Sequence, residues 1–145
     1  MSVVVLGDCE VDSLRQQIPL YLERVSAGFP SPAQDFIEKT LDLNELCIQH
    51  PAATFFVRVE GESMRDAGIY PNDVLVVDRS VNAVHGDVVI ASLQGEMTVK
   101  ELCTRPYLAL RAHNPEYPEI HILNPDEFEV FGVVTNVVRA LQRGR

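Results

Sequence analysis

Along most of the chain the apolar residues gather in short β-branched runs instead of at helical spacing. Residues 54–60, 74–78, 87–93, 96–102, 107–112, 119–123 and 128–134 are such runs, each bounded by turn-forming residues. They predict a mostly β domain of about seven short strands. Two connections are legible as well. Gln94-Gly95 between two runs reads as a hairpin, and Tyr70-Pro71-Asn72-Asp73 as a turn delivering the chain to the next strand. The exception to the strand pattern comes earlier. Across Ala33–Leu43, the spacing of Phe36, Ile37 and Leu41 predicts a short amphipathic helix, with Leu43–Ile48 continuing as a further helical turn.

Residues 1–27 mix apolar stretches, Val3–Leu6 and Ile18–Leu22, with polar and acidic positions, and read as a flexible N-terminal arm. The arm runs into Ser26-Ala27-Gly28-Phe29-Pro30-Ser31-Pro32, where two prolines fix φ and remove backbone donors while Gly28 adds freedom. This connector is expected to be extended and accessible. With 145 residues, 46% of them hydrophobic, the chain suits one globular domain and leaves no room for a second.

Charge and cysteine usage narrow the function classes. A net charge of -9 repels phosphate, so no direct DNA binding is expected. Arg139, Arg143 and Arg145 cluster at the C-terminus, and such a short basic tail reads as a solvated terminus. Cys9, Cys47 and Cys103 are odd in number and form no C-x-x-C, so neither a disulfide framework nor a metal site is indicated, and a reducing cytoplasm fits. Cys47 and Cys103 read as core packing. The N-terminus lacks a basic n-region and the run Phe131–Val138 is far short of the roughly 20 residues a bilayer requires, so neither secretion nor membrane insertion is expected.

Candidate chemistry centres on Val59-Glu-Gly-Glu-Ser63-Met64-Arg65, where a strand enters a glycine-containing turn that leaves Ser63 on a loop. Arg65 breaks the G-x-S-x-G elbow, so an α/β-hydrolase is not indicated. The histidines do not form a Ser/His/Asp set: His50 and His85 adjoin turn residues, His113 and His121 lie near strand ends, and all four read as structural. A lysine buried in apolar surroundings can replace histidine as the base, because burial favours its neutral amine. Lys100 sits inside a strand where alternation places Thr98, Lys100 and Leu102 on one face. On residue chemistry alone, an ordinary turn serine and an edge-strand lysine remain the simpler reading.

The ordered set Gly61-Glu-Ser-Met64, Asn72-Asp-Val-Leu-Val-Val-Asp78, His85-Gly-Asp-Val-Val-Ile-Ala91 and Glu96-Met-Thr-Val-Lys100 closely resembles the LexA/UmuD family of self-cleaving S24 peptidases. The likeness runs from about Gly28 to the C-terminus. The segments Phe29-Pro-Ser-Pro32 and Phe131-Gly-Val-Val134 look UmuD-like in particular. The resemblance implies a compact protease fold in which Ser63 is the nucleophile, Lys100 the general base and Ala27-Gly28 the bond cut. It divides the chain into a removable arm, 1–27, and a protease and dimerisation domain, 28–145. The family presents either Cys-Gly or Ala-Gly at the cut, both with a small side chain before the bond. Asn72 stands where the family often has glycine, and asparagine tolerates positive φ well enough to keep the turn.

Acyl transfer by this pair needs an oxyanion site, for which the backbone N–H groups around Ser63 and Met64 are the candidates; no cofactor is expected, and one turnover per molecule is the expected behaviour for cleavage in cis. The partners come from the resemblance. The implied partners are a second copy in a homodimer, the RecA nucleoprotein filament that stimulates cleavage in the SOS response, and a UmuC-like Y-family polymerase in translesion synthesis. A helix-turn-helix repressor domain does not fit in 27 residues. The competing reading is a catalytically inert dimeric accessory module for the polymerase. A signal peptidase with the same chemistry would need a membrane anchor. The arm is expected to pack on the body through its apolar stretches and mask a partner surface until removed.

Overall fold

The computed structural model describes residues 3–8, 16–21 and 37–142. The strands are β1 (Val3–Asp8), β2 (Ile18–Tyr21), β3 (Ile37–Leu41), β4 (Thr54–Val59), β5 (Val74–Asp78), β6 (Val88–Leu93), β7 (Glu96–Cys103), β8 (Ala109–Arg111), β9 (Ile120–His121) and β10 (Phe128–Val138). One short helix, α1, spans Leu43–Cys47. Contacts divide the chain into two units, Met1–Val11 with His50–Arg145, and Asp12–Gln49.

The larger unit is one antiparallel sheet in the order β1-β4-β5-β10-β6-β7-β8-β9. Its middle strands are buried on both faces, which is why their sequences are continuous β-branched runs and not alternating ones. On β6, Ile90 belongs to a cluster with Val57, Met64, Leu75, Val77 and Val99. Its neighbours Val89 and Ala91 belong to a second cluster with Leu102, Leu110 and Val133. β10 joins the two halves of the sheet by pairing with β5 and with β6. Register shifts at Val130/Gly132 and Val134/Asn136 bend it between those partners. At the bend, a Cβ on Gly132 would lie 2.7 Å from Val77 Cγ1 and 3.0 Å from the Asp78 carbonyl oxygen, so no larger residue fits without a shift.

Both turns read from the sequence are present. Gln94 and Gly95 have φ of 52° and 84°, the left-handed pair of a two-residue hairpin loop between β6 and β7. Asn72 has φ of 72°, and the Asp73 amide donates to the Tyr70 carbonyl at 3.1 Å. All seven expected strands form, although β8 and β9 are shorter than their apolar runs and β10 is longer.

Three further strands, β1 to β3, add to those seven, and β1 and β2 lie within the segment expected to be a flexible arm. The helix expected over Ala33–Leu43 is corrected for Ile37–Leu41, which forms β3, while residues 33–36 lie outside the described residues. In the smaller unit β3 pairs antiparallel with β2, and the partner strand supplies the backbone hydrogen bonds a helix would have made internally. The hydroxyl of Thr40 donates to Gln17 Oε1 across this pair at 2.8 Å. The helix begins only where Asp42 caps it, its carboxylate accepting from the Asn44 amide at 2.9 Å. The expected helical turn over 43–48 is therefore the one that forms. No helix among the described residues is long and apolar enough to cross a membrane.

Candidate active site

The connection between β4 and β5, residues 60–73, carries Ser63. Gly61, at φ of 82°, turns the chain out of β4 in a left-handed conformation that a side chain would disfavour. Two residues later Ser63 is fully buried, as is Met64, which anchors the loop in the first core cluster. The Met64 carbonyl accepts from the Ala67 and Ile69 amides at 3.0 and 3.2 Å, closing a short 3-10 turn over Arg65–Ala67 that ends at Gly68.

Lys100 reaches the serine from β7. The residue is 3% exposed, and Nζ lies 3.0 Å from Ser63 Oγ, 2.8 Å from Thr98 Oγ1 and 3.2 Å from the Val99 carbonyl oxygen. Thr98 shares the face of β7 with Lys100, as strand alternation requires. Among the described residues no carboxylate pairs with this lysine. Burial alone pushes its pKa from the usual 10.5 down to about 8.

These three contacts match the hydrogen-bonding capacity of a neutral amine. With the amine neutral, the Val99 carbonyl, which can only accept, takes one N–H and the Thr98 hydroxyl can take the second, which leaves the lone pair available to accept from the Ser63 hydroxyl. In the ammonium form the same nitrogen donates to Ser63 Oγ instead. The pair can therefore hold a proton on either oxygen or nitrogen, the requirement for a serine nucleophile activated by a lysine base.

A sequence profile of the Peptidase S24-like family matches residues 19–135. The chain belongs to that family. It is similar to Protein SamA of Salmonella typhimurium, 48% identical over 126 residues that cover 87% of this chain and 88% of the relative. It is also similar to Protein ImpA of Escherichia coli, 52% identical over 83% of this chain and 82% of the relative. Protein MucA of Escherichia coli is 50% identical over 82% of each. The chain is thus a UmuD-like member of a peptidase family, as the ordered motifs implied.

Within this S24-like chain, Ser63 and Lys100 are brought together across 37 residues of sequence. Ala27 and Gly28 lie outside the described residues. The four histidine rings engage other groups: His50 bonds Asp78 at 2.6 Å, His85 accepts from the Thr104 amide at 2.9 Å, His113 bonds Glu101, and His121 bonds Glu119 at 3.2 Å. Cys103 is buried, and desolvation raises its thiol pKa, which leaves it inert as a nucleophile. Among the described residues no group of three or more His, Cys, Asp or Glu is placed to hold a metal ion.

Sequence reasoning missed the braces of the serine loop. Asn114 is buried, and its Nδ2 donates to the Glu62 carbonyl at 2.8 Å, while the His113 amide donates to the Ser63 carbonyl at 2.8 Å. The Asp66 amide in turn donates to the His113 carbonyl at 2.8 Å. These bonds link residues more than 45 positions apart through backbone groups, so nothing in local pattern announces them. The far end of the loop is held by Arg139, whose reading as part of a solvated tail is corrected. Its guanidinium bonds both oxygens of buried Asp73 at 2.6 Å, donates to the Gly68 carbonyl at 2.8 Å and lies 4.5 Å from the Tyr70 ring centroid. Arg143 and Arg145 lie outside the described residues.

Proposed function

We propose that this chain is a self-cleaving serine peptidase of the SOS mutagenesis response, in which Ser63 and Lys100 cut the Ala27-Gly28 bond. The observation that carries this reading is Lys100 Nζ at 3.0 Å from Ser63 Oγ, on a buried lysine whose pKa is about 8. Neutral Lys100 takes the Ser63 proton as Oγ attacks the Ala27 carbonyl carbon, and the Met64 and Ser63 amides stabilise the oxyanion. The tetrahedral intermediate collapses, the Gly28 amine leaves with the proton from Lys100, and water hydrolyses the Ala27 ester to free Ser63. Because nucleophile and substrate bond belong to one chain, proximity supplies much of the acceleration.

The product, residues 28–145, then acts as the dimeric accessory subunit of a UmuC-like Y-family polymerase in the cytoplasm, with the RecA filament stimulating the cut. The UmuD-like family membership supports this role. The test is intact mass of the purified protein over time at neutral and alkaline pH, with and without a RecA filament, beside Ser63→Ala and Lys100→Ala. Loss of residues 1–27 from wild type alone is the expected result. An uncut wild-type chain with the filament present would overturn the reading in favour of an inert accessory module.

A further inference from the structure

The segment 22–36 joins β2 to β3, so the proposed cut falls inside that connection, and β1 and β2 both belong to the released piece. Among the described residues β1 is the edge strand of the eight-stranded sheet, paired with β4. It pairs antiparallel, with Val3 opposite Val59, Val4 opposite Arg58 and Val5 opposite Val57, and a shift at Gly7 before Asp8 meets Phe55. Removing it makes β4 the edge of the sheet.

The backbone groups that this exposes can be named. The Val59 amide donates to the Asp73 carbonyl, and the Val59 carbonyl accepts from Asn72, both toward β5. Antiparallel alternation then directs the amides of Phe55 and Val57 toward β5 as well, and those of Phe56 and Arg58 toward β1. Phe55, Val57 and Val59 are buried in the sheet interior while Arg58 is exposed, so a strand added to this edge shares a face with the core at every second position.

We infer that the outer edge of β4 is a strand-accepting surface, closed in the intact chain by residues 3–8 and opened by cleavage, and that its occupant afterwards is an extended, β-branched segment of another protein. This rests on the cleavage proposed above. The occupant's chemistry is that of the strand seated there now, whose sequence is Val-Val-Val-Leu followed by Gly-Asp and which pairs through main-chain hydrogen bonds. A six-residue edge strand holds its place mainly because it is tethered. Once the tether is cut, binding becomes bimolecular and the short strand leaves at ordinary protein concentrations.

Amide hydrogen exchange resolved by residue tests the inference on the full chain. Val4 pairs with Arg58 at a position where both ladder bonds are exchanged, so Val4→Pro removes one of them without any cleavage. In a Ser63→Ala background that cannot be cut, Val4→Pro is expected to speed exchange at Phe56 and Arg58 by roughly 10-fold or more, with Phe55, Val57 and Val59 still protected by β5. Cleaved wild type, its cut established separately by mass, is expected to show the same pattern more strongly. A synthetic peptide of residues 1–8 restores protection at Phe56 and Arg58 in the cleaved protein and leaves the uncut protein unchanged.

Unchanged exchange at Phe56 and Arg58 in the uncut Val4→Pro variant would overturn the inference, as would loss of protection throughout β4, which would make β1 integral to the fold. Protection that grows with the cleaved protein's own concentration would assign the edge to a second copy and overturn the foreign partner. A chain that is never cut, yet responds to Val4→Pro as described, defeats the function proposed above and leaves the strand-accepting edge standing.

Discussion

Two buried charges grip opposite ends of the 60–73 loop and are handled in opposite ways. At its start Lys100 meets, among the described residues, neutral partners, a serine and a threonine hydroxyl and one carbonyl, and desolvation drags its pKa down to about 8. At its end Asp73 is equally buried but meets the Arg139 guanidinium on both oxygens. Burial works to raise the Asp73 pKa, yet the bonds from Arg139 and the Tyr70 amide outweigh it and hold the carboxyl below its usual range. A charge meant to stay ionised is given a counter-charge. The lysine whose pKa falls toward neutrality has no counter-charge among the described residues.

The largest expected effect breaks the lysine side of this contrast. Lys100→Ala and Lys100→Arg should each reduce self-cleavage by about 10⁴-fold or more, because arginine keeps its charge at every accessible pH. In wild type, cleavage followed by intact mass should rise about tenfold per pH unit below 8 and level off above it. A flat profile would show that Lys100 is not the titrating base.

Breaking the other side should cost stability instead of activity chemistry. Arg139→Ala leaves Asp73 buried without its counter-charge and should lower the unfolding midpoint in denaturant titrations. The folded pKa of Asp73 is depressed below 3.8, so its contribution is complete above that value and is lost as pH falls through the folded pKa. The gap between wild type and Arg139→Ala should therefore be constant near neutrality and close in acid.

Lys100→Met sharpens the comparison from the stability side. The folded pKa of about 8 lies below the unfolded 10.5, so the unfolded chain binds more protons between these values and wild-type stability rises with pH there. Below about 8 the variant should be more stable than wild type by on the order of 2 kcal/mol, and the difference should vanish above 10.5. The smallest effect is that of Thr98→Val, which removes one acceptor from Nζ. It should slow cleavage by roughly 10-fold and move the midpoint of the pH profile, a shift that a purely structural loss would not produce.

Much of the sheet was legible because its strands are local objects. A run such as Asp87–Leu93 is β-branched enough to name its own conformation, and Gln94-Gly95 has the backbone freedom its hairpin uses. Residues 37–41 failed that test, since Phe36, Ile37 and Leu41 fit helical spacing and only pairing with β2 makes Ile37–Leu41 a strand. Val3–Leu6 was visibly apolar, but nothing near it identified β4 as its neighbour.

The candidate dyad divides in the same way. By itself, the sequence determined which residues are candidates for the chemistry, because Ser63 and Lys100 stand within an ordered series of motifs along the chain. Tertiary structure alone decided that Lys100 points inward beside Thr98, that His113 and Asn114 hold the Ser63 loop, and that the partly exposed Arg139 is bonded to buried Asp73. Those facts depend on burial and on bonds between groups 37 to 66 residues apart, many of them on the backbone. Every residue carries the same backbone donor and acceptor, so only the folded chain specifies which of them meet.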